Sequence, residues 1–462
     1  MVNIIIQCNR EYMPEREYIY DYFFRERYGL QYSVCYNETS KGFVIIELPN
    51  DRKIYVADVM FNMPDDIWLK KESLPVTPLH VIENSAMSKV VMDRDIIELY
   101  GKHNEVFLTE NGEITVDIFG SAFFLLTGYE ELVIPDRNQF GNFPHDSTVI
   151  GKEGLIQRPL VDEYVELLWA CIVALCPDLS RKQEKFQFIP THDIDRAFMF
   201  NENPFSWHIK NSIGDILKRR SLKMFWQRNM SYFFDGKCDP DDVYDWLMDL
   251  SDSVGVKSIF YFKNSMAKSK VDCPYRIDTK AVTRALIKID RRNHIIGFHP
   301  SFETLNNEDM FAEEINGLRN YCKNIGVKQE VTNIRHHYLR YSNPQTSRWH
   351  EKYAFIEDAT LGHRDHIGFR RGTSHDYYVY DLENRKTLNV KEFPLIVMEQ
   401  TMKGEFEGAK LQFEAIKRMI DICKFYNGNF VLLWHNETLV DKDDKIFYGK
   451  IIDYIKQVNY PL

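Results

Sequence analysis

FQFIPTHDID, residues 186–195, is a mostly apolar run that breaks off into Asp-x-Asp. In an extended chain successive side chains alternate sides, so Asp193 and Asp195 point the same way. Two carboxylates on one side suit a division of labour, one on a metal ion and one as a base. Asp also favours turns and helix caps, so the motif alone leaves a turn open. Three further apolar runs end in the same manner: HIIGF-HPS (294–301), VTNI-RHHYLR (331–340) and FVLLW-HNE (430–437). Acid/base and metal-type residues that recur just after β-type runs predict parallel strands whose carboxyl ends gather a site.

The surrounding pattern supports that reading. From residue 186 onward, β-type runs fall at 186–190, 256–262, 294–299, 329–334, 353–357, 393–398 and 429–434. Helix-type segments lie between many of them, at 240–253, 279–291, 307–325 and 406–426. Such alternation predicts right-handed βα units around a parallel sheet. Seven runs fit an α/β fold of the (β/α)-barrel kind, with about seven strands, better than an open sheet. The stretch 330–400 is long and irregular, which allows imperfect closure.

The first part of the chain reads differently. Strand (2–7), helix (13–27) and strand (31–36) come first, then hairpin strands at 43–48 and 53–59. A buried helix is expected at 115–128, a turn-rich loop at 135–148 and a helix at 160–175. The polar stretch 177–185 breaks the pattern and places the boundary. The expected division is a smaller α+β domain, 1–180, followed by the barrel domain, 181–462.

Composition excludes several classes. The 462 residues suit two or three domains rather than one. A net charge of −10 with no long basic run argues against a nucleic-acid binder. No stretch approaches the roughly 18–20 apolar residues of a membrane span. The first residues read as a strand rather than a signal peptide, so a cytoplasmic location is expected. Cysteines at 8, 35, 171, 176, 238, 273, 322 and 423 form no CxxC pair, which indicates neither a thiolate zinc site nor a disulfide framework. The 26 Tyr and 31 Phe suit a large core, and a carbohydrate cleft as well.

Each candidate residue also has a plainer reading. His299 can be a metal ligand or a solvated histidine, and Glu303 a further ligand or a surface charge. At most one of His336 and His337 can enter a site, because neighbours on a strand face opposite sides. His337 shares a side with Arg335, which could orient a carboxylate or a sugar oxygen. Asp358, which opens DATLG, is a candidate substrate contact, and Arg370 could position a site carboxylate. Arg364, Asp365, His363 and His366 read as loop surface. Glu399 ends FPLIVM, where it can contact substrate or cap a helix. His435, after VLLW, can protonate a leaving group or sit satisfied in a core.

Residues 186–440 resemble the polysaccharide deacetylase superfamily of carbohydrate esterases, in particular a branch found among bacterial surface-polysaccharide proteins. The segments that carry the resemblance are THDID, GFHPS, RHHYLR, DATLG, GFRRGTS and LLWHN. The first 180 residues look like the accessory region that precedes the deacetylase domain in that branch. The resemblance implies a distorted (β/α) barrel with one divalent ion, zinc above all, in an Asp-His-His set. It implies hydrolysis of an acetyl group from an N- or O-acetylated sugar or polysaccharide precursor, nucleotide-linked, lipid-linked or a growing glycan. Carried over, Asp193 is the base, Asp195 a metal ligand, His299 the first His ligand, His435 the acid, and Arg370 orients the base. The chain departs from the family pattern twice. Ile194 separates the usually adjacent Asp pair, so base and ligand roles could be exchanged. Glu303 stands where the second His is expected, and His337 is taken as its substitute.

Overall fold

The computed structural model describes residues 3–37, 42–83, 90–92, 95–200, 205–264, 271–272 and 275–459. Cys273 and the first residue of the expected strand 2–7 lie outside them; the other seven cysteines are free thiols. Among the described residues no helix is long and apolar enough to cross a membrane.

The N-terminal region is built on a five-stranded sheet. β1 (Asn3–Cys8) pairs in parallel with β2 (Gln31–Tyr36) and antiparallel with β3 (Phe43–Glu47). β3 forms the expected hairpin with β4 (Lys53–Ala57). β5 (His80–Glu83) and β6 (Asp95–Glu98) form a separate two-stranded ladder, and β7 (Glu113–Ile114) closes the first sheet beside β4. The helix Ile118–Thr127 is buried all round, as its unbroken apolar sequence requires. Asp117 caps it, accepting from the Gly120 N–H. The second helix, Leu160–Leu175, has the expected bounds.

The second sheet has nine strands: β8 (Gln187–Ile194), β9 (Ile259–Phe262), β10 (Ile295–Phe298), β11 (Asn333–Ile334), β12 (Glu357–Asp358), β13 (Tyr377–Asp381), β14 (Lys386–Glu392), β15 (Leu395–Met398) and β16 (Asn429–Leu433). Their order is β13-β14-β12-β11-β10-β9-β8-β16-β15, and only the β13–β14 pair is antiparallel. All seven expected runs have a strand, but the count of seven is wrong. The hairpin β13–β14 lies in the stretch read as irregular. Its turn contains no glycine; Arg385 itself adopts the left-handed conformation (φ 52°), so the usual hairpin signal is missing.

The sheet curls without pairing its two edge strands to each other. The segment 361–368 partly spans the gap. Leu395 N–H donates to the Leu361 carbonyl and Gly368 N–H to the Ile396 carbonyl. Helices Lys280–Arg291, Glu308–Asn324, Ala409–Phe425 and Lys442–Asn459 bury their apolar stripes against the sheet's outer face. A helical hairpin, Phe205–Leu217 and Leu222–Phe233, is inserted after β8 and was not among the expected helices.

The two regions share a seam. Tyr377, Tyr380 and Leu382 of the β13–β14 hairpin join the N-terminal core. Arg370 and Arg371 reach the Glu131 carboxylate at 2.8 and 3.1 Å. Asp162 accepts from the Thr373 hydroxyl and from the Ser374 N–H and hydroxyl.

Candidate active site

The strand alternation sorts side chains into two sets. Phe188, Ile194, Phe260, Phe262, Ile296, Phe298, Ile334, Phe430, Leu432 and Trp434 join the core beneath the outer helices. Ile189, Ile259, Tyr261, Ile295, Val431 and Leu433 pack on the other face. Continued two residues at a time, that inner set runs into Asp193 and Asp195, Lys263, His299, Arg335 and His337, and His435. Gly297 is required here: a Cβ on it would meet the Tyr261 ring at 2.4 Å. The Tyr261 ring in turn lies under the Arg335 guanidinium, 4.8 Å from its centre.

Asp195, His299 and His337 converge. Asp195 Oδ1 is 3.4 Å from His299 Nε2 and 3.2 Å from His337 Nε2. Each ring is fixed from behind. His299 Nδ1–H donates to the Arg335 carbonyl (2.6 Å), and His337 Nδ1–H to Asp272 (2.7 Å). Both Nε2 atoms therefore turn lone pairs toward the Asp195 carboxylate. His299 Nε2 is buried with no hydrogen-bond donor. Three acceptor atoms facing one another repel unless a cation lies between them, and outer carboxylate or carbonyl partners of this kind accompany metal-binding histidines. The donor set therefore fits a divalent metal ion.

One cation is already present. Lys263 Nζ lies 2.6 Å from Asp195 Oδ1 and 3.1 Å from His337 Nε2, fully buried. Burial by itself would raise the Asp195 carboxyl, but the His337 ring and the Lys263 ammonium beside it pull it well below the carboxylate range. Burial pulls the His299 imidazole down.

Asp193 and His435 flank the three. Asp193 Oδ2 is 3.7 Å from His299 Nε2, and its Oδ1 accepts from Arg335 (3.2 Å). His435 Nδ1 donates to Glu399 at 2.5 Å, which leaves Nε2 facing Asp195 Oδ2 at 3.7 Å. Burial opposes the imidazolium of His435, but the Glu399 carboxylate, with Asp195 and Asp193 nearby, outweighs it and pushes the group up to about 10. A cavity of about 240 Å³ opens onto Asp193, Asp195, Lys263, His337 and His435. Leu339, Met398 and Leu433 give it an apolar wall. Tyr338 and Leu339 both have positive φ (61° and 53°), backbone strain of the sort found at binding sites.

Several expectations need correction or narrowing. Arg370 does not meet Asp193; it bonds Glu131 and the Gly362 carbonyl, while Arg335 holds Asp193. Arg335 is fully buried and anchored to the Ala359 carbonyl, so of its two readings the carboxylate, not the sugar oxygen, is the one it meets. Asp358 accepts from Thr360 and faces His350, within the buried set that also holds His336, rather than lining the cavity. Glu399 orients His435 from a buried position instead of touching substrate. Glu303 is exposed on a short 3-10 helix. Arg364, read as loop surface, lines the cavity, stacked between Phe140 and Tyr338.

Lys263 and Asp272 escaped the sequence reading. Lys263 follows VKSIFYF, so the rule that found the other strand ends also finds it. Asp272 lies in a loop with no pattern to mark it.

No curated protein matches the chain. Residues 4–177 match a family model described as a family of unknown function, DUF7033. A crystal structure described as a "putative polysaccharide deacetylase from Mycobacterium smegmatis" is similar over 60% of this chain and 92% of its own, with 12% sequence identity and a TM-score of 0.35.

Proposed function

We propose that this chain is a metal-dependent deacetylase that hydrolyses an acetyl group from an N- or O-acetylated sugar or polysaccharide precursor. The observation that carries the reading is the convergence of Asp195, His299 and His337, whose acceptor atoms all lie within 4.8 Å of one another beside the cavity. These three would hold the ion, which when bound supplies Lewis acidity and a water activated near neutral pH. Asp193, held by Arg335, would take a proton from the attacking water at Oδ2. His435, kept protonated by Glu399, would donate from Nε2 to the departing sugar nitrogen or oxygen. Leu339, Met398 and Leu433 would seat the acetyl methyl, and Arg364, Tyr338 and Phe140 the sugar at the rim. We also propose the division into regions 1–180 and 181–462, with the N-terminal loop carrying Phe140 completing that rim.

One observation favours a second reading. The Lys263 ammonium already neutralises Asp195, so the barrel could bind acetylated sugar with no ion and no turnover. Acetate release from N- and O-acetylated oligosaccharides by the Zn²⁺-loaded chain separates the two. Release that collapses in Asp193→Asn supports the deacetylase. Sugar binding without release, and without retained metal, supports the second reading.

A further inference from the structure

The helical hairpin inserted after β8 is turned inside out. Phe205, Ile209, Ile213 and Ile216 follow one another at helical spacing, yet all stay exposed, at 43–55%. Leu222 and Trp226 continue the apolar surface on the second helix, 75% and 54% exposed, and Phe233 ends it at 58%. The polar residues are the ones that point inward. Asp215 is fully buried between Arg228 (2.6 Å) and Arg219 (2.5 Å), and His208, Ser212 and Ser231 are buried as well. Arg228 lies over the Phe200 and Trp207 rings, and His208 stacks on Tyr232 at 4.0 Å. The pair is therefore held together by its polar face. Its apolar stripes lie on the outside by construction rather than for want of folding.

Monomeric surfaces rarely carry contiguous apolar patches of this kind without a binding role. The charge around the patch says which. Residues 205–237 hold seven Lys/Arg against two Asp, in a chain whose net charge is −10. Lys210, Lys218, Arg220 and Lys223 are exposed beside the apolar stripe. Trp, Phe, Ile and Leu on one side with Lys and Arg on the other is the composition of helices that lie in a lipid headgroup layer. Helices of 13 and 12 residues are too short to span a bilayer and suited to lying in its surface.

We propose that the hairpin 205–233 docks this protein on an anionic lipid surface, its apolar stripes inserted at the headgroup boundary and its cations against lipid phosphates. The hairpin follows the strand that carries Asp193 and that ends just before Asp195. Arg196, beside the cavity, is tied to Asp241 just after the hairpin at 2.6 Å. Docking thus acts on the segment that adjoins the site, whatever reaction the site performs.

The test is co-sedimentation of the full chain with vesicles of phosphatidylcholine containing phosphatidylglycerol, and with phosphatidylcholine alone. Binding to the anionic vesicles is expected, weakened at least tenfold on neutral vesicles or in high salt. The double variant Ile213→Glu/Trp226→Glu is expected to lose at least tenfold, with its far-UV spectrum and melting temperature unchanged. Lys218→Gln/Lys223→Gln is expected to lose affinity for anionic vesicles only. No binding to anionic vesicles, or binding that the Glu variant keeps, overturns the proposal. So does a lipid-independent dimer that the Glu variant dissolves, since a second copy of the chain would then cover the patch.

Discussion

Two clusters of buried charge sit in this molecule and end differently. At the seam, Glu131 meets Arg370 and Arg371, and all three are buried away from the cavity. At the strand ends, Asp195 meets His299, His337 and Lys263, with Asp193 and His435 alongside. The seam matches one carboxylate to two guanidinia and stops. The strand-end cluster gathers more acceptors than donors, leaves His299 Nε2 without a donor and opens to a cavity. A buried ionic group that is closed on itself holds structure, whereas one left electron-rich and open is equipped to take a ligand.

Substitutions in the two clusters should diverge accordingly. The largest effect is expected for Asp193→Asn, which should lower acetate release by about 10²–10⁴ while leaving the fold intact. A normal rate would make Asp193 as structural as Glu131. Glu131→Gln should do the reverse, costing about 3–5 kcal/mol in urea unfolding because it strands two buried guanidinia, with little change in turnover. The pH dependence gives a second handle on that pair. Burial would raise the Glu131 carboxyl, but Arg370 and Arg371 hold it near 2. A depressed carboxyl stabilises the fold fully above its ordinary pKa near 4.5 and loses that contribution as pH falls through about 2. The Gln variant should lack this acid-sensitive part of its stability, and an unchanged acid profile would refute the assignment.

Smaller effects should sharpen the contrast at the site itself. Glu399→Gln removes the carboxylate that holds the His435 proton; turnover should fall about 10–100-fold. The alkaline limb of the rate profile should move down from near pH 10, and a limb that stays in place would remove His435 from the acid role. Lys263→Met should raise Zn²⁺ affinity about tenfold or more, since like charges some 4 Å apart repel by roughly 4 kcal/mol at an effective dielectric of 20. Equilibrium dialysis measures this directly. Unchanged affinity would mean that the ammonium does not compete for the ion.

How much of this was readable in the residues depends on range. Seven of the eight parallel strands announce themselves because apolar runs are local, and Asp193, Asp195, His299, His337 and His435 follow from counting in twos along them. The β13–β14 hairpin escaped because a left-handed Arg385 does the work usually signalled by glycine. Counting in twos places Arg335 beside His337 but says nothing of Arg370, which lies in a turn. What separates them is Glu131, some 240 residues away in sequence and 2.8 Å away in space. Asp272 and the inverted hairpin were invisible for a related reason. An amphipathic pattern tells which residues share a face, but not whether that face looks inward or outward.

The segment GFRRGTS, residues 368–374, has a consequence for descent. It reads as part of the barrel, yet Arg370, Arg371, Thr373 and Ser374 spend their polar groups on Glu131 and Asp162 of the N-terminal region. A barrel transplanted to another neighbour would carry two stranded guanidinia with it. These four residues should therefore travel through evolution with Glu131 and Asp162, and be released in barrels that lack the N-terminal region even where Asp193, Asp195 and His299 persist.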